Sequence, residues 1–193
     1  MLDKTAAPTG SPTCTYWLDT EERITDVDGN WLEFARENEG EESCLPDLIL
    51  NRPLWAFIHD EETRHLYEII IEKVRSRGKP VTIPFRCDSP SKRRYLELTI
   101  KPLPQGRLEF QTKLLKVESR EPVALLREDA PRSSQHVRIC SFCKKVALSD
   151  SEWVEIEEAV WRLKLFELAR LPQLTHGACP GCYQSIMADL RRL

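Results

Sequence analysis

Two Cys-x-x-Cys pairs, Cys140 with Cys143 and Cys179 with Cys182, constrain this chain more than any other feature. Two residues between cysteines let both sulfurs of one turn reach the same ion, and a second such turn completes a tetrahedral shell. Thiolate is the softest side-chain ligand, so four of them favour zinc in a closed, structural site. The turns read Cys140-Ser141-Phe142-Cys143 and Cys179-Pro180-Gly181-Cys182, and Pro180 with Gly181 suits a tight knuckle. The intervening 35 residues, 144–178, exceed the about 15–20 of the usual double pair. That stretch must therefore fold into something of its own. His176 lies three residues before Cys179. With four cysteines available it is expected to support a ligand, or to be plainly polar, rather than to bind the ion.

The chain has seven cysteines in 193 residues. An odd count, with no apolar stretch behind Met1-Leu2-Asp3-Lys4, argues against a secreted disulfide framework and for a reducing, cytoplasmic setting. Cys14, Cys44 and Cys87 read as ordinary small apolar residues. The longest apolar runs, such as Leu48-Ile49-Leu50 and Ile69-Ile70-Ile71, are far too short for a membrane span. A net charge of -3 gives no overall basic excess for nucleic acid.

Four segments are expected. Residues 1–14 form a flexible tail rich in Thr, Pro, Ala and Ser. Residues 15–119 form a first domain, 120–137 a linker marked by Pro122, Pro131, Ser133 and Ser134, and 138–193 a four-cysteine module. In the first domain, short strands are expected at 16–19 and 23–27, a turn at Asp28-Gly29-Asn30 and a short helix at 31–38. An irregular polar stretch follows at 39–47. Asp60 can cap a long helix to Arg77, with Leu66, Ile69, Ile70 and Val74 on one face and Gly78 and Pro80 as its stop. Alternating residues then predict three strands: Val81, Ile83, Phe85 and Cys87; Leu96, Leu98 and Ile100; and, after the turn Pro104-Gln105-Gly106, Leu108, Phe110 and Leu114. Pro84 places the first of these at an edge or a bulge. In the module, Ser149 and Glu152 have capping-box spacing ahead of a helix with Ile156, Ala159, Val160 and Leu163 on one face, and Trp153, Trp161 and Phe166 add apolar bulk. The predicted fold is α+β: a five-stranded antiparallel sheet with helices on one face, plus a small C-terminal four-cysteine, zinc-ribbon-like module. So small a module gains from a metal the stability its core lacks.

Over residues 15–118 the chain resembles a PAS domain, the bacterial sensory fold. The resemblance rests on Val27-Asp28-Gly29-Asn30-Trp31 after the strand pair, on Asn51-Arg52-Pro53-Leu54-Trp55, and on Phe57-Ile58-His59-Asp60-Glu61-Glu62 at the head of the long helix. Residues 139–183 resemble a short C-terminal segment of bacterial PAS and response-regulator proteins. Its pattern is Cys-x-x-Cys-Lys, a tryptophan with acidic residues, then Ser-His-Gly-Ile-Cys-Pro-x-Cys; here Thr175 replaces the serine and Ala178 the isoleucine. The resemblance implies a signalling role and a metal site rather than an activity. PAS domains hold haem, flavin or metabolites against the sheet, or nothing. His65 stands where haem-binding relatives place a ligand, whereas Pro53 and Leu54 occupy the place of the cysteine that light-sensing flavin relatives need. A cavity filled by side chains is the default expectation.

No nucleophile elbow, phosphate loop or His-Glu-x-x-His motif is present. The leading expectation is thus a non-catalytic signal-transduction protein with protein partners in its pathway and a possible homodimer. A thiol-based redox sensor using the two Cys-x-x-Cys pairs is the alternative, although Cys179-Pro180-Gly181-Cys182 lacks the βαβ context of a dithiol oxidoreductase. Nucleic-acid binding by the zinc module ranks last: residues 137–193 hold eight Lys or Arg against seven Asp or Glu, and four thiolates with one zinc ion add a charge of about -2.

Overall fold

Strict alternation of buried and partly exposed residues along Lys92–Pro102, from Arg94 to Ile100, makes this segment a sheet strand covered on one face. The computed structural model describes residues 13–37 and 45–193. Its first half runs β1 (Thr13–Leu18), β2 (Ile24–Val27), α1 (Trp31–Glu37), α2 (Pro46–Ile49), α3 (Glu61–Arg77), β3 (Val81–Arg86), β4 (Lys92–Pro102) and β5 (Leu108–Ser119). The five strands pair antiparallel in the order β2-β1-β5-β4-β3. Pro84 lies in edge strand β3, where its missing N–H breaks no ladder to a further strand.

α3 forms as its sequence dictates. Asp60 accepts from Thr63 N at 2.7 Å, and Gly78, at φ 63°, closes the C-terminus with its N–H on Val74 O. Leu66, Ile70, Ile71 and Val74 are buried against Leu98, Ile100, Leu108 and Phe110 of the sheet. Each such aliphatic side chain contributes about 1.5–3 kcal/mol of burial.

Boundaries differ in several places. Thr13 and Cys14, expected in the tail, pair with Lys113 and Thr112 in the sheet. Residues 1–12, and 38–44 with Cys44, lie outside the described residues. The polar stretch expected to be irregular ends in the helical turn α2.

The second half holds β6 (Arg132–Cys140), β7 (Val146–Ala147), β8 (Trp153–Val154), α4 (Ile156–Arg162), β9 (Leu171–Gly177) and α5 (Pro180–Arg191). Its sheet has the order β8-β7-β6-β9, with β6 and β9 parallel. The stretch read as a linker is therefore structured. A 3-10 turn, Ala124–Leu126, buries Leu125, and β6 opens at Arg132. The Arg132 guanidinium donates to the carbonyls of Leu125, Arg127 and Pro172 at 2.7–2.9 Å, pinning the segment at both ends. Ser149 and Glu152 do not cap a helix: Ser149 Oγ accepts from Glu152 N inside the turn between β7 and β8, and α4 starts later, after Glu155. α4 buries Ile156 and Ala159, which leaves Trp161 74% and Phe166 63% exposed rather than in the core.

One apolar cluster spans both halves. Cys140, Phe142, Cys179, Ile186 and Leu190 belong to the same buried group as Leu66, Ile70, Val74, Val81 and Ile83. α5 packs against α3 and β3. A smaller cluster joins Val123 and Leu125 to Ile139, Val146, Ile156, Ala159 and Leu165. Among the described residues, no helix is long and apolar enough to cross a membrane.

Candidate metal centre

The parallel register of β6 and β9 is what brings the two cysteine pairs together. Cys140, the last residue of β6, lies opposite Gly177, the last of β9. Ser141 N continues the ladder to Gly177 O at 2.8 Å. From Cys140 the chain turns sharply: Lys144 N bonds Cys140 O at 3.1 Å, Cys140 N bonds Lys145 O at 2.8 Å, and Lys144 adopts φ 60°. This is the knuckle read from the sequence. The second pair is different. Cys179 is the N-cap of α5 and Pro180 its first helical residue, so Cys182 sits in the first helical turn. Proline suits that position because its fixed φ is helical and no N–H is lost.

The four sulfurs lie within 4.8 Å of one another, with Cys143 Sγ and Cys179 Sγ 3.6 Å apart. Four thiolates at about 2.3 Å from a common zinc ion would be about 3.8 Å apart. Backbone N–H groups already face the sulfurs: Cys179 N donates to Cys140 Sγ at 3.3 Å, and Cys182 N to Cys179 Sγ at 3.4 Å. The positive end of α5 adds to that field.

Crowding sets the proton balance. Cys140 is drawn well below the usual thiol range by hydrogen bonds from Cys143 and Cys182, helped by backbone N–H groups and opposed by burial. Its thiolate in turn pushes Cys143 up to about 12 and Cys182 higher still. Close thiolates repel, so a divalent cation is what would let all of them ionise together. The donor set thus fits a metal such as zinc.

His176 is not part of the sulfur cluster. It lies on β9 opposite Ile139, and burial, then the nearby Lys144, lowers its pKa. His65 sits on the outer side of α3 with its side chain 67% exposed, 3.9 Å from Glu68. It therefore points away from the sheet, where a haem ligand would have to reach.

The knuckle is tied to the first half by polar contacts that the sequence did not reveal. Ser141 Oγ and Thr63 Oγ1 lie 2.8 Å apart. Arg86 N donates to Phe142 O at 2.7 Å, and Ala178 N to Glu62 Oε2 at 3.2 Å. Gly177 permits the last contact, because a Cβ there would lie 2.7 Å from Glu62 Oε2 and 3.3 Å from Arg138 Cδ. Beside this seam, Tyr67 stacks on Phe142 with centroids 6.2 Å apart. Burial lowers the Lys144 ammonium, against pulls from Cys87, Asp88 and Cys140.

Fold and site together define an α+β protein in which an antiparallel sheet and a four-cysteine centre share one core. No family model matches the chain, and no curated protein matches it. Among solved structures, a domain of an HTR-like protein from Haloarcula marismortui ATCC 43049 is similar over 55% of this chain and 100% of its own, at 14% identity and a TM-score of 0.40.

Proposed function

We propose that the chain is a non-catalytic signal-transduction protein of bacterial type, in which a PAS-like sensory domain, residues 15–119, is coupled to a structural zinc centre at Cys140, Cys143, Cys179 and Cys182. The observation that carries this reading is the shared core: two of the four cysteines, Cys140 and Cys179, are buried in one cluster with α3 and the sheet. A metal there would stabilise the layer that senses as well as the module that holds it. Five antiparallel strands with the long helix between the second and third agree with what the PAS resemblance implies. In this reading the partners are signalling proteins and a second copy of the chain, in a reducing compartment, with neither membrane nor nucleic acid involved.

Elemental analysis of the purified chain, paired with an absorption spectrum, tests the proposal. The expected result is about one zinc per chain without visible absorbance, lost on Cys140→Ser. Iron with a visible band, or no metal, would contradict it.

A second reading, a thiol-based redox sensor, draws on Cys143 and Cys182 being partly exposed beside their buried partners. Release of zinc by peroxide at doses that spare the remaining protein favours it; retention removes it.

A further inference from the structure

Between the sheet, the head of α3 and the Cys140 knuckle lies a cavity of about 420 Å³. That is within the range of small-molecule sites, about 300–1,000 Å³. Residues from both halves line it, among them Tyr16, Asp60, Tyr67, Arg86, Phe142 and Lys144.

The polar groups divide into committed and uncommitted. The Arg86 guanidinium is held by Asp88 and Glu155. The Asp60 carboxylate is held by Thr63 N at the helix cap. Lys144 Nζ, by contrast, donates only to Ser141 O at 3.0 Å and forms no ion pair among the described residues. Neither the Tyr16 nor the Tyr67 hydroxyl hydrogen-bonds to a described residue, and burial pushes both phenols above their usual pKa, which keeps them protonated donors. Donors that line an accessible cavity without a side-chain acceptor can exchange water for a ligand's oxygen atoms. The rings of Tyr67 and Phe142, already stacked, supply a flat apolar wall.

We infer that this seam cavity binds a small aromatic monocarboxylate, its carboxylate on Lys144 and the tyrosine hydroxyls and its ring against Tyr67 and Phe142. The inference deepens the sensory reading by naming a ligand class. Because Lys144 follows Cys143 directly, occupancy would reach the metal knuckle through one peptide bond.

Titration calorimetry of the zinc-loaded full chain with benzoate, and with benzamide as its neutral isostere, tests this. Benzoate is expected to bind at least about tenfold more tightly than benzamide, the advantage of a charge-assisted bond. Lys144→Met should abolish that preference, and Tyr67→Phe should weaken benzoate while leaving the fold intact. Equal binding of the two probes, an unchanged preference in Lys144→Met, or no benzoate binding by the zinc-loaded chain overturns the inference. Zinc content of the same samples reports separately on the metal reading. Full zinc without benzoate binding removes the ligand alone; charge-selective benzoate binding without zinc sustains the ligand and removes the metal.

Discussion

Arg86 Nη1 donates to Glu155 Oε2 at 2.7 Å, joining the edge strand of the first sheet to the residue that precedes α4. The same guanidinium holds Asp88, whose side chain is 0% exposed, and Arg120 reaches both Asp88 and Glu157. Charge as well as apolar packing therefore locks the halves together.

Removing Arg86 leaves Asp88 buried with Arg120 alone. Arg86→Met is expected to lower stability by about 3 kcal/mol, as for a buried pair that loses one partner. Glu155 is 39% exposed, so Glu155→Gln should cost about 1 kcal/mol or less. Urea unfolding of the two variants measures the difference.

The shared core makes α5 a stability element for the whole chain. Ile186, 4% exposed, packs in the cluster that contains Ile70 and Val74. Ile186→Ala should destabilise by about 3 kcal/mol. The urea midpoint should fall with the slope unchanged and with one transition for the entire chain. A separate early transition would show that α5 detaches independently.

Gly177 stands where a side chain would press on Glu62. Gly177→Ala should displace that flexible carboxylate and lose its bond to Ala178 N, at about 1 kcal/mol. The zinc content expected from the proposed centre should be unchanged, because the four sulfurs are untouched.

Tyr67 gives a pH signature. Burial pushes its phenol from 10 up to about 12 in the folded chain. A raised folded pKa means that the contribution is complete below the unfolded value and is lost as pH climbs through the folded one. Stability should therefore fall between pH 10 and 12, and Tyr67→Phe should flatten that decline. Unfolding free energies across this interval check it.

The first half was legible in the sequence because its signals are local. Asp60, Gly78 and the apolar spacing of Leu66, Ile70 and Val74 fix α3 without reference to anything distant. The turn at 104–106 is likewise local, with Gln105 and Gly106 both at positive φ. The four-cysteine cluster was legible from spacing alone, because it needs only that the two pairs meet.

What the sequence hid depends on distant pairing. β6 reads as a polar linker because its early residues, from Arg132 to His136, are exposed or half-exposed and show no apolar alternation. It is a strand only because β9, remote in sequence, lies beside it. The helical setting of Cys179 and Cys182 was missed for a simpler reason. Pro180 and Gly181 suit a tight turn, but proline also opens helices, and here Cys179 Sγ caps the helix itself. Nothing in the pattern of either half announces that Phe142 will meet Tyr67.

The most direct test of the account follows zinc release with a chromogenic chelator along a urea titration while far-ultraviolet circular dichroism records the fold. If the proposed zinc centre is part of the one core, zinc leaves in the same transition in which the sheet and α3 are lost, because metal binding and folding are then a single equilibrium. Zinc leaving first, with the circular dichroism unchanged, would contradict the claim that the centre and the layer of α3 and the sheet stand or fall together.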